Sequence, residues 1–256
     1  MAKLSLGIDC GSTTVKGALY DGEAIIETMI VPTGARPAQR MKEIYDKLYS
    51  EDVGYIVTTG YGRELLPEAN KKVTEITCHA RGAYFLGGGV SGLVDIGGQD
   101  SKAVLLDGKG NVQDFLMNDK CAAGTGRFVE MMCRILECDR DELDNFEQKE
   151  QIEITSMCTV FAESEIISML ANGAERGDIA LGVIRSICRR TAIFASKLPM
   201  NGKVFFSGGL ARYESFRSRL EEALGKPIVT HPQSQLCGAI GAAVIGYDFM
   251  KRAEKK

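Results

Sequence analysis

The sequence lacks any excess of basic charge. It carries 31 Lys and Arg against 34 Asp and Glu, a net charge of −3. A dominant nucleic-acid role would favour a basic face and is therefore disfavoured, although a local basic patch stays open. A secretory leader is also missing, because residues 3–9 run into a strand-like segment without a basic stretch and a long apolar one. The longest uncharged run, Pro227 to Tyr247, is broken by Pro232, Gln233, Ser234 and Gln235. About 12 apolar or small residues remain, too few for a membrane span of roughly 20. The expectation is a cytoplasmic protein with a buried small-residue helix near its end. Three short motifs are absent as well: Cys-x-x-Cys, the Gly-x-x-x-x-Gly-Lys-Ser/Thr phosphate loop, and Gly-x-Gly-x-x-Gly after a strand.

What is present suits a globular chain. In 256 residues, 45% are hydrophobic and 25% charged, enough for one large domain or two small lobes. Eight cysteines are many for a chain of this kind. Secreted disulfide scaffolds are short and loop-rich, and this one is not, so some thiols are expected to do chemistry and most to pack the core.

Leu4 to Asp9 reads as a buried strand, Gly11 to Thr14 as a polar turn, and Val15 to Tyr20 as a second strand. Asp21-Gly22 makes a hairpin turn into a third strand, Glu23 to Val31. Pro37 opens a helix with the stripe Met41, Ile44, Tyr45 and Leu48, and Tyr55 to Thr58 is a strand leading into the Thr59-Gly60-Tyr61-Gly62-Arg63 turn. Leu93 to Lys102 then repeats the opening. Asp9 matches Asp95, Gly11 matches Gly97, Lys16 matches Lys102, and Asp21-Gly22 matches Asp107-Gly108, all at an offset of 86. Four features in one register imply a duplicated strand–turn–strand unit and two related lobes facing each other. The lobes are expected at 1–92 with 236–256, and at 93–235. Helices are expected at about 125–138, 160–172 and 178–198, the last N-capped by Asp178. Lys203 to Phe206 is a strand, Phe216, Leu220 and Leu224 mark a helix, Pro227 to Thr230 is a short strand, and Leu236 to Met250 closes the chain before a frayed Lys251–Lys256.

Two related Asp-x-Gly turns after buried strands imply a phosphate clamp, where either turn taken singly would read as a hairpin turn made of turn residues. Gly11, Ser12, Thr13 and Thr14 offer N–H and hydroxyl donors, and Lys16 adds a point charge. Gly97, Gly98 and Gln99 take the γ-phosphate from the other lobe. Asp9 and Asp95 hold Mg²⁺ through water, and Ser207-Gly208-Gly209 lets the backbone pass close to adenine or ribose. Asp9, Asp95 or Gln99 would orient the attacking water. Ile8-Asp9-Cys10-Gly11-Ser12-Thr13, Asp95-Ile96-Gly97-Gly98-Gln99-Asp100 and Phe206-Ser207-Gly208-Gly209 resemble the two phosphate motifs and the adenosine motif of the sugar kinases, heat-shock chaperone ATPases and actin. The resemblance implies an α/β fold of two ribonuclease-H-like lobes hinged around ATP. A kinase of small molecules and an actin-like assembly module share that fold and are the competing readings.

Asn118 to Phe128 contains Cys121, Gly124 and Gly126. By itself it could cradle a phosphate, or it could present a thiol at a helix start, where the dipole favours negative charge. Cys158 likewise precedes a helical segment, with Glu163 and Glu165 in its first turns. Isolated cysteines are more often core residues, yet two thiols at two helix starts also suit an iron–sulfur cluster. One chain then gives two ligands, and a homodimer sharing one cluster completes four. Glu163 and Glu165 could steer a partner or be solvated helix charges. Cys10, Cys133, Cys138, Cys188 and Cys237 read as packing or surface thiols, Cys78-His79 as structure rather than a metal pair, and His231 as a loop residue.

Asn118-Asp119-Lys120-Cys121-Ala122-Ala123-Gly124-Thr125-Gly126-Arg127-Phe128 and Cys158-Thr159-Val160-Phe161-Ala162-Glu163-Ser164-Glu165 resemble the ATPase activators of 2-hydroxyacyl-CoA dehydratases and the related benzoyl-CoA reductase ATPase subunits. The likeness runs from about Gly7 to Tyr247. It implies a homodimer with one bridging [4Fe–4S] cluster on Cys121 and Cys158, and ATP or ADP with Mg²⁺ in each subunit. It also implies low-potential one-electron transfer to a partner dehydratase, or to a reductase such as a double-cubane protein. Ferredoxin or flavodoxin would be the donor. Nucleotide contacts would fall on Ser12, Thr13, Thr14, Val15, Lys16, Gly98, Gln99, Asp100, Gly208, Gly209, Arg212 and Gln235. On this reading Gly124 and Gly126 relieve crowding where two chains meet.

Overall fold

The computed structural model describes residues 3–156 and 158–254. Met157, in the motif before Cys158, and the last two lysines of the expected frayed end lie outside the described residues.

The chain opens with three antiparallel strands, β1 (Leu4–Cys10), β2 (Thr14–Tyr20) and β3 (Ile25–Pro32), followed by α1 (Pro37–Leu48) and β4 (Val53–Gly60). Pro37 starts α1 as expected, and Met41, Ile44 and Leu48 form its buried stripe. A short β5 (Lys71–Lys72) and α2 (Glu75–Gly87) come next. The order of this first sheet is β3-β2-β1-β4-β5, with β1 antiparallel to β2 and parallel to β4.

Then β6 (Gly92–Ile96), β7 (Ser101–Leu106) and β8 (Val112–Asn118) repeat the three-strand opening. They lead through α3 (Gly126–Ile135), α4 (Thr159–Ala171) and α5 (Arg176–Ala195) to β9 (Val204–Ser207), α6 (Glu214–Leu224) and β10 (Ile228–Val229). Read from its far edge, this second sheet runs β8-β7-β6-β9-β10, with β6 antiparallel to β7 and parallel to β9. The strand order is that of the first sheet, and the β6–β7, β6–β9 and β9–β10 pairs run as β1–β2, β1–β4 and β4–β5 do. The duplication inferred from an 86-residue offset is thus a duplication of topology.

The last helix, α7 (Cys237–Glu254), returns to the first unit, which comprises Met1–Val90, Leu106–Gln113 and Gln233–Lys256. The second unit comprises Ser91–Leu105 and Asp114–Pro232. Helices α2 and α7 meet through residues too small to hold them apart. A Cβ on Gly241 would stand 1.7 Å from the Cys78 carbonyl oxygen, and one on Gly82 would stand 2.0 Å from that of Cys237. Phe128, Val129 and Met132 of α3 join Ile179, Val183 and Ile187 of α5 in the core of the second unit. Helix α5 starts earlier than expected. Its N-cap is Glu175, and Asp178 is buried in the first turn, where it accepts the Lys149 N–H at 2.7 Å. The carboxylate ties a loop to the helix instead of capping it. No helix among the described residues is long and apolar enough to cross a membrane.

Candidate functional site

The two Asp-x-Gly turns are built alike. Asp9 pairs across β1 and β2 with Lys16, and Asp95 pairs across β6 and β7 with Lys102. Such facing residues on antiparallel strands are within reach of each other. Accordingly the Lys16 ammonium donates to Asp9 Oδ2 at 3.2 Å, and the Lys102 ammonium to Asp95 Oδ2 at 3.4 Å. Each turn is closed by one backbone bond at matching positions: the Gly11 N–H to the Thr14 carbonyl, 3.1 Å, and the Gly97 N–H to the Asp100 carbonyl, 2.9 Å. Asp21 and Asp107, at the matching hairpins, each accept two backbone N–H groups on one carboxylate oxygen. These bonds hold both carboxyls below the usual carboxylate range, Asp21 through Ala24 and Glu23, and Asp107 through Asn111 and Lys109.

The copies differ in what remains available. Asp95 is closed on both oxygens, because the Ser207 hydroxyl donates to Oδ1 at 2.6 Å. Lys102, 1% exposed, also meets Asp100 at 2.7 Å. Asp9 is as deeply buried, but its Oδ1 finds no hydrogen-bond partner among the described residues, and neither does Thr13 Oγ1. Two orphaned buried oxygens on one turn call for an outside donor or cation, since leaving a buried polar atom unsatisfied costs about 1–3 kcal/mol. Asp9 Oδ1 fits Mg²⁺-bound water, and the Thr13 hydroxyl can donate to a phosphate oxygen. The walls here tolerate no larger residue: a Cβ on Gly60 would stand 2.6 Å from Asp9 Oδ1, and one on Gly238 would stand 2.7 Å from Oδ2. The Thr33 hydroxyl binds the Gly11 carbonyl at 2.8 Å and its N–H the Thr13 carbonyl at 3.0 Å, fixing the turn from β3's end. Thr33 carried no motif in the sequence.

Of the other expected nucleotide residues, Ser12 and Gln99 are exposed, and Thr14, Lys16, Gly98 and Asp100 are half-buried, whereas Val15 is buried in the first core. Gly208 is left-handed at φ 96°, and a Cβ there would stand 2.2 Å from the Ile96 carbonyl oxygen. Gly209 opens the 3-10 turn that holds Arg212, and Gln235 lies in the turn before α7. Arg212 is paired with Asp141, and its guanidinium sits 4.8 Å from the Tyr213 ring centroid.

Cys121 and Cys158 are both exposed, Cys121 before a 3-10 turn (Ala122–Gly124) that leads into α3, and Cys158 at the N-cap of α4. Cys10, Cys78 and Cys188 are fully buried, and burial pushes their thiols up to about 11, 12 and 12. Those three pack in the core, as the sequence reading expects. His79 stands 3.8 Å from Glu75 and 3.9 Å from Asp9, beyond hydrogen-bonding range.

The loop before Cys158 is clamped from two sides. The Glu165 carboxylate accepts the Thr155 N–H and hydroxyl and the Ser156 N–H at 2.8–2.9 Å, and Arg190 binds the Ser156 carbonyl at 2.5 Å. Burial alone would raise the Glu165 carboxyl, but these bonds outweigh it and hold it at about 2. Glu165 is therefore a clasp on this loop. The Cys121 loop is fastened differently. The Gly126 and Arg127 N–H groups donate to the Gly97 and Gly98 carbonyls at 2.9 and 3.0 Å, and the Ser101 hydroxyl to the Gly124 carbonyl at 2.6 Å. The start of α3 thus sits directly on the second Asp-x-Gly turn. A Cβ on Gly126 would come within 3.3 Å of the Gly97 carbonyl oxygen, so the crowding that Gly126 relieves lies inside the chain.

Two sheets of one topology, each with an Asp–Lys pair beside a glycine turn, define the two-lobed α/β ATPase fold shared by actin-like proteins and sugar kinases. A solved glucokinase of the ROK family from Streptomyces griseus shares that fold with a TM-score of 0.61 over 96% of this chain and 99% of its own, at 14% identity. Within that class, the chain belongs to the BadF/BadG/BcrA/BcrD ATPase family, whose model matches residues 6–246. It is 40% identical, over an alignment of 264 positions that covers 100% of both chains, to the (R)-2-hydroxyglutaryl-CoA dehydratase activating ATPase of Acidaminococcus fermentans. It superposes with a TM-score of 0.91 on the activator of 2-hydroxyisocaproyl-CoA dehydratase from Clostridium difficile with bound ADPNP, at 38% identity, covering 98% of this chain and 97% of that one.

Proposed function

We propose that this protein is an ATP-driven activase that passes single electrons at low potential to an iron–sulfur partner enzyme of the 2-hydroxyacyl-CoA dehydratase class. The observation that carries the reading is the pair of exposed thiols at two helix starts, Cys121 and Cys158, in a chain whose relatives activate dehydratases. Two donors fall short of the four a [4Fe–4S] cluster usually takes, so the set is complete only in a homodimer. Bound there, such a cluster would supply the one-electron step, and positive helix ends suit its negative charge. Val160 and Phe161, 66% and 69% exposed directly after Cys158, support a second chain or a partner covering this end.

In this reading Asp9, with Thr13 and Lys16, holds the Mg²⁺ and phosphate end of ATP, while Asp95 serves its own unit as an internal brace. Ser12, Thr14 and the Gly97–Gly98 turn complete the phosphate contacts, with Gln99 orienting the attacking water. Arg212 takes up the nucleotide only by leaving Asp141. Because the Gly97 and Gly98 carbonyls carry the first N–H groups of α3, movement of that turn on γ-phosphate loss is transmitted to the Cys121 loop. That gives nucleotide state a direct hold on the thiol's position. Ferredoxin or flavodoxin is the proposed electron donor.

The test is anaerobic purification with iron and sulfide analysis. About two iron atoms per chain are expected, one shared four-iron cluster per dimer, and Cys121→Ser and Cys158→Ser should each abolish it while nucleotide binding survives. Iron-free wild type after reconstitution, or a cluster retained in either variant, refutes the reading.

A further inference from the structure

Helix α3 ends in a Schellman closure. The Cys138 N–H donates to the Cys133 carbonyl at 3.0 Å, and the Glu137 N–H to the Arg134 carbonyl at 3.3 Å. The motif requires a left-handed residue between them, ordinarily glycine. Here it is Glu137 at φ 49°, the one non-glycine residue with positive φ among the described residues. Arg176 holds the turn from outside by donating to the Glu137 carbonyl at 3.0 Å.

A Schellman closure brings two side chains together across the helix end, commonly as an apolar contact. In this protein both are cysteines. Both line an open cavity of about 310 Å³ with Arg134, Glu137, Asp139 and Glu142. Cys133 is 8% exposed, and Cys138 is half-buried and the more accessible. Two buried thiols elsewhere bond to carbonyls, Cys188 to Phe216 and Cys237 to His79.

We propose that Cys133 and Cys138 are a dithiol modification site that hydroperoxides close to a disulfide. Cys138, open to the cavity, attacks the peroxide oxygen. Its sulfur becomes a sulfenic acid, and water, or an alcohol from an organic peroxide, leaves. The Cys133 sulfur then attacks the Cys138 sulfur, the S–S bond forms, and the sulfenic oxygen departs as a second water carrying the Cys133 proton. Two electrons pass from the two thiols to one hydroperoxide. A disulfide sets the two sulfurs about 2.05 Å apart, and the turn already brings the two positions together across the helix end. The pair is separate from Cys121 and Cys158, and the inference does not depend on the activase reading.

Arg134 lies between the two cysteines, so trypsin separates them onto residues 128–134 and 135–140. The full-length chain, purified anaerobically, is treated with limiting hydrogen peroxide, alkylated in denaturant, digested without reduction and analysed by mass spectrometry. The expected product is the two peptides joined by one disulfide, released by reductant. Thiol loss at the pair should run roughly tenfold ahead of that at Cys188, which has no thiol partner. In Cys133→Ser, Cys138 should stall as a sulfenic acid that dimedone traps. Recovery of both peptides unlinked, or linked to any other cysteine, overturns the proposal on wild-type protein alone. Equal dimedone trapping at Cys138 in wild type and variant overturns the resolving role of Cys133.

Discussion

Asp9 keeps one carboxylate oxygen buried and unbonded, whereas Ser207 and Lys102 occupy both oxygens of Asp95. Replacing each should therefore be felt in a different measurement. Asp9→Asn is expected to lower ATP hydrolysis by roughly a hundredfold or more, with a smaller loss of stability than at Asp95 because Lys16 is less buried than Lys102. Asp95→Asn is expected to lower stability by about 3 kcal/mol in denaturant titrations, because it removes one of the carboxylates that face the buried Lys102. Equal loss of turnover at equal stability would show that the two carboxylates share one role. Glu165 adds a pH signature. Its carboxyl sits at about 2 in the folded chain, below its ordinary value of 4.5. The clasp on Thr155 and Ser156 is thus fully stabilising above about pH 4.5 and is lost as the pH falls through about 2. Amide resonances of those two residues followed through an acid titration should report the low midpoint, and Glu165→Gln should remove it. A midpoint near 4.5 would mean the clasp is absent in solution.

At the scale of elements, the joint between the second Asp-x-Gly turn and α3 is open to direct trial. Cys121 alkylation in cluster-free protein should change rate when ATP replaces ADP. Gly126→Val, whose side chain meets the Gly97 carbonyl, should erase that difference without abolishing nucleotide binding. An unchanged nucleotide dependence would remove the joint from the mechanism. Packing between α2 and α7 gives a second trial: Gly241→Ala should cost about 3 kcal/mol of stability, by calorimetry, since its Cβ meets the Cys78 carbonyl. The same packing explains what the sequence concealed. The hairpins, α1 and α5 were legible because alternation and the helical stripe recur there. Helix α2 was not, because it is buried through Cys78, Ala80, Gly82 and Ala83, whose small side chains leave no apolar period to read. Strand β8 was missed because Phe115 and Met117 lie on its exposed side. The Schellman turn after α3 was hidden because Glu137 stands where glycine would have signalled it. For the candidate site, the aspartates and turns could be read from spacing, whereas Thr33, Ser101 and Arg190 could not, since a lone polar residue reveals nothing about a partner far away in sequence.

For the whole molecule, the proposed shared cluster makes association depend on metal. Sedimentation should give a dimer for the iron-loaded protein and a monomer after chelation, and Cys121→Ser should sediment as the monomer throughout. A dimer that persists without iron would mean that surfaces other than the thiols join the chains. The repeated architecture also bears on how the chain can vary. Twin turns descended from one ancestor have separate fates once a single copy is enough for chemistry. In a library randomised at positions 9, 16, 95 and 102 and selected for nucleotide turnover, aspartate would be kept at 9 in every survivor. Position 95 would drift in step with 102, towards any pair that fills the same buried space. The drift would be a heritable record of which twin still works and which has become masonry.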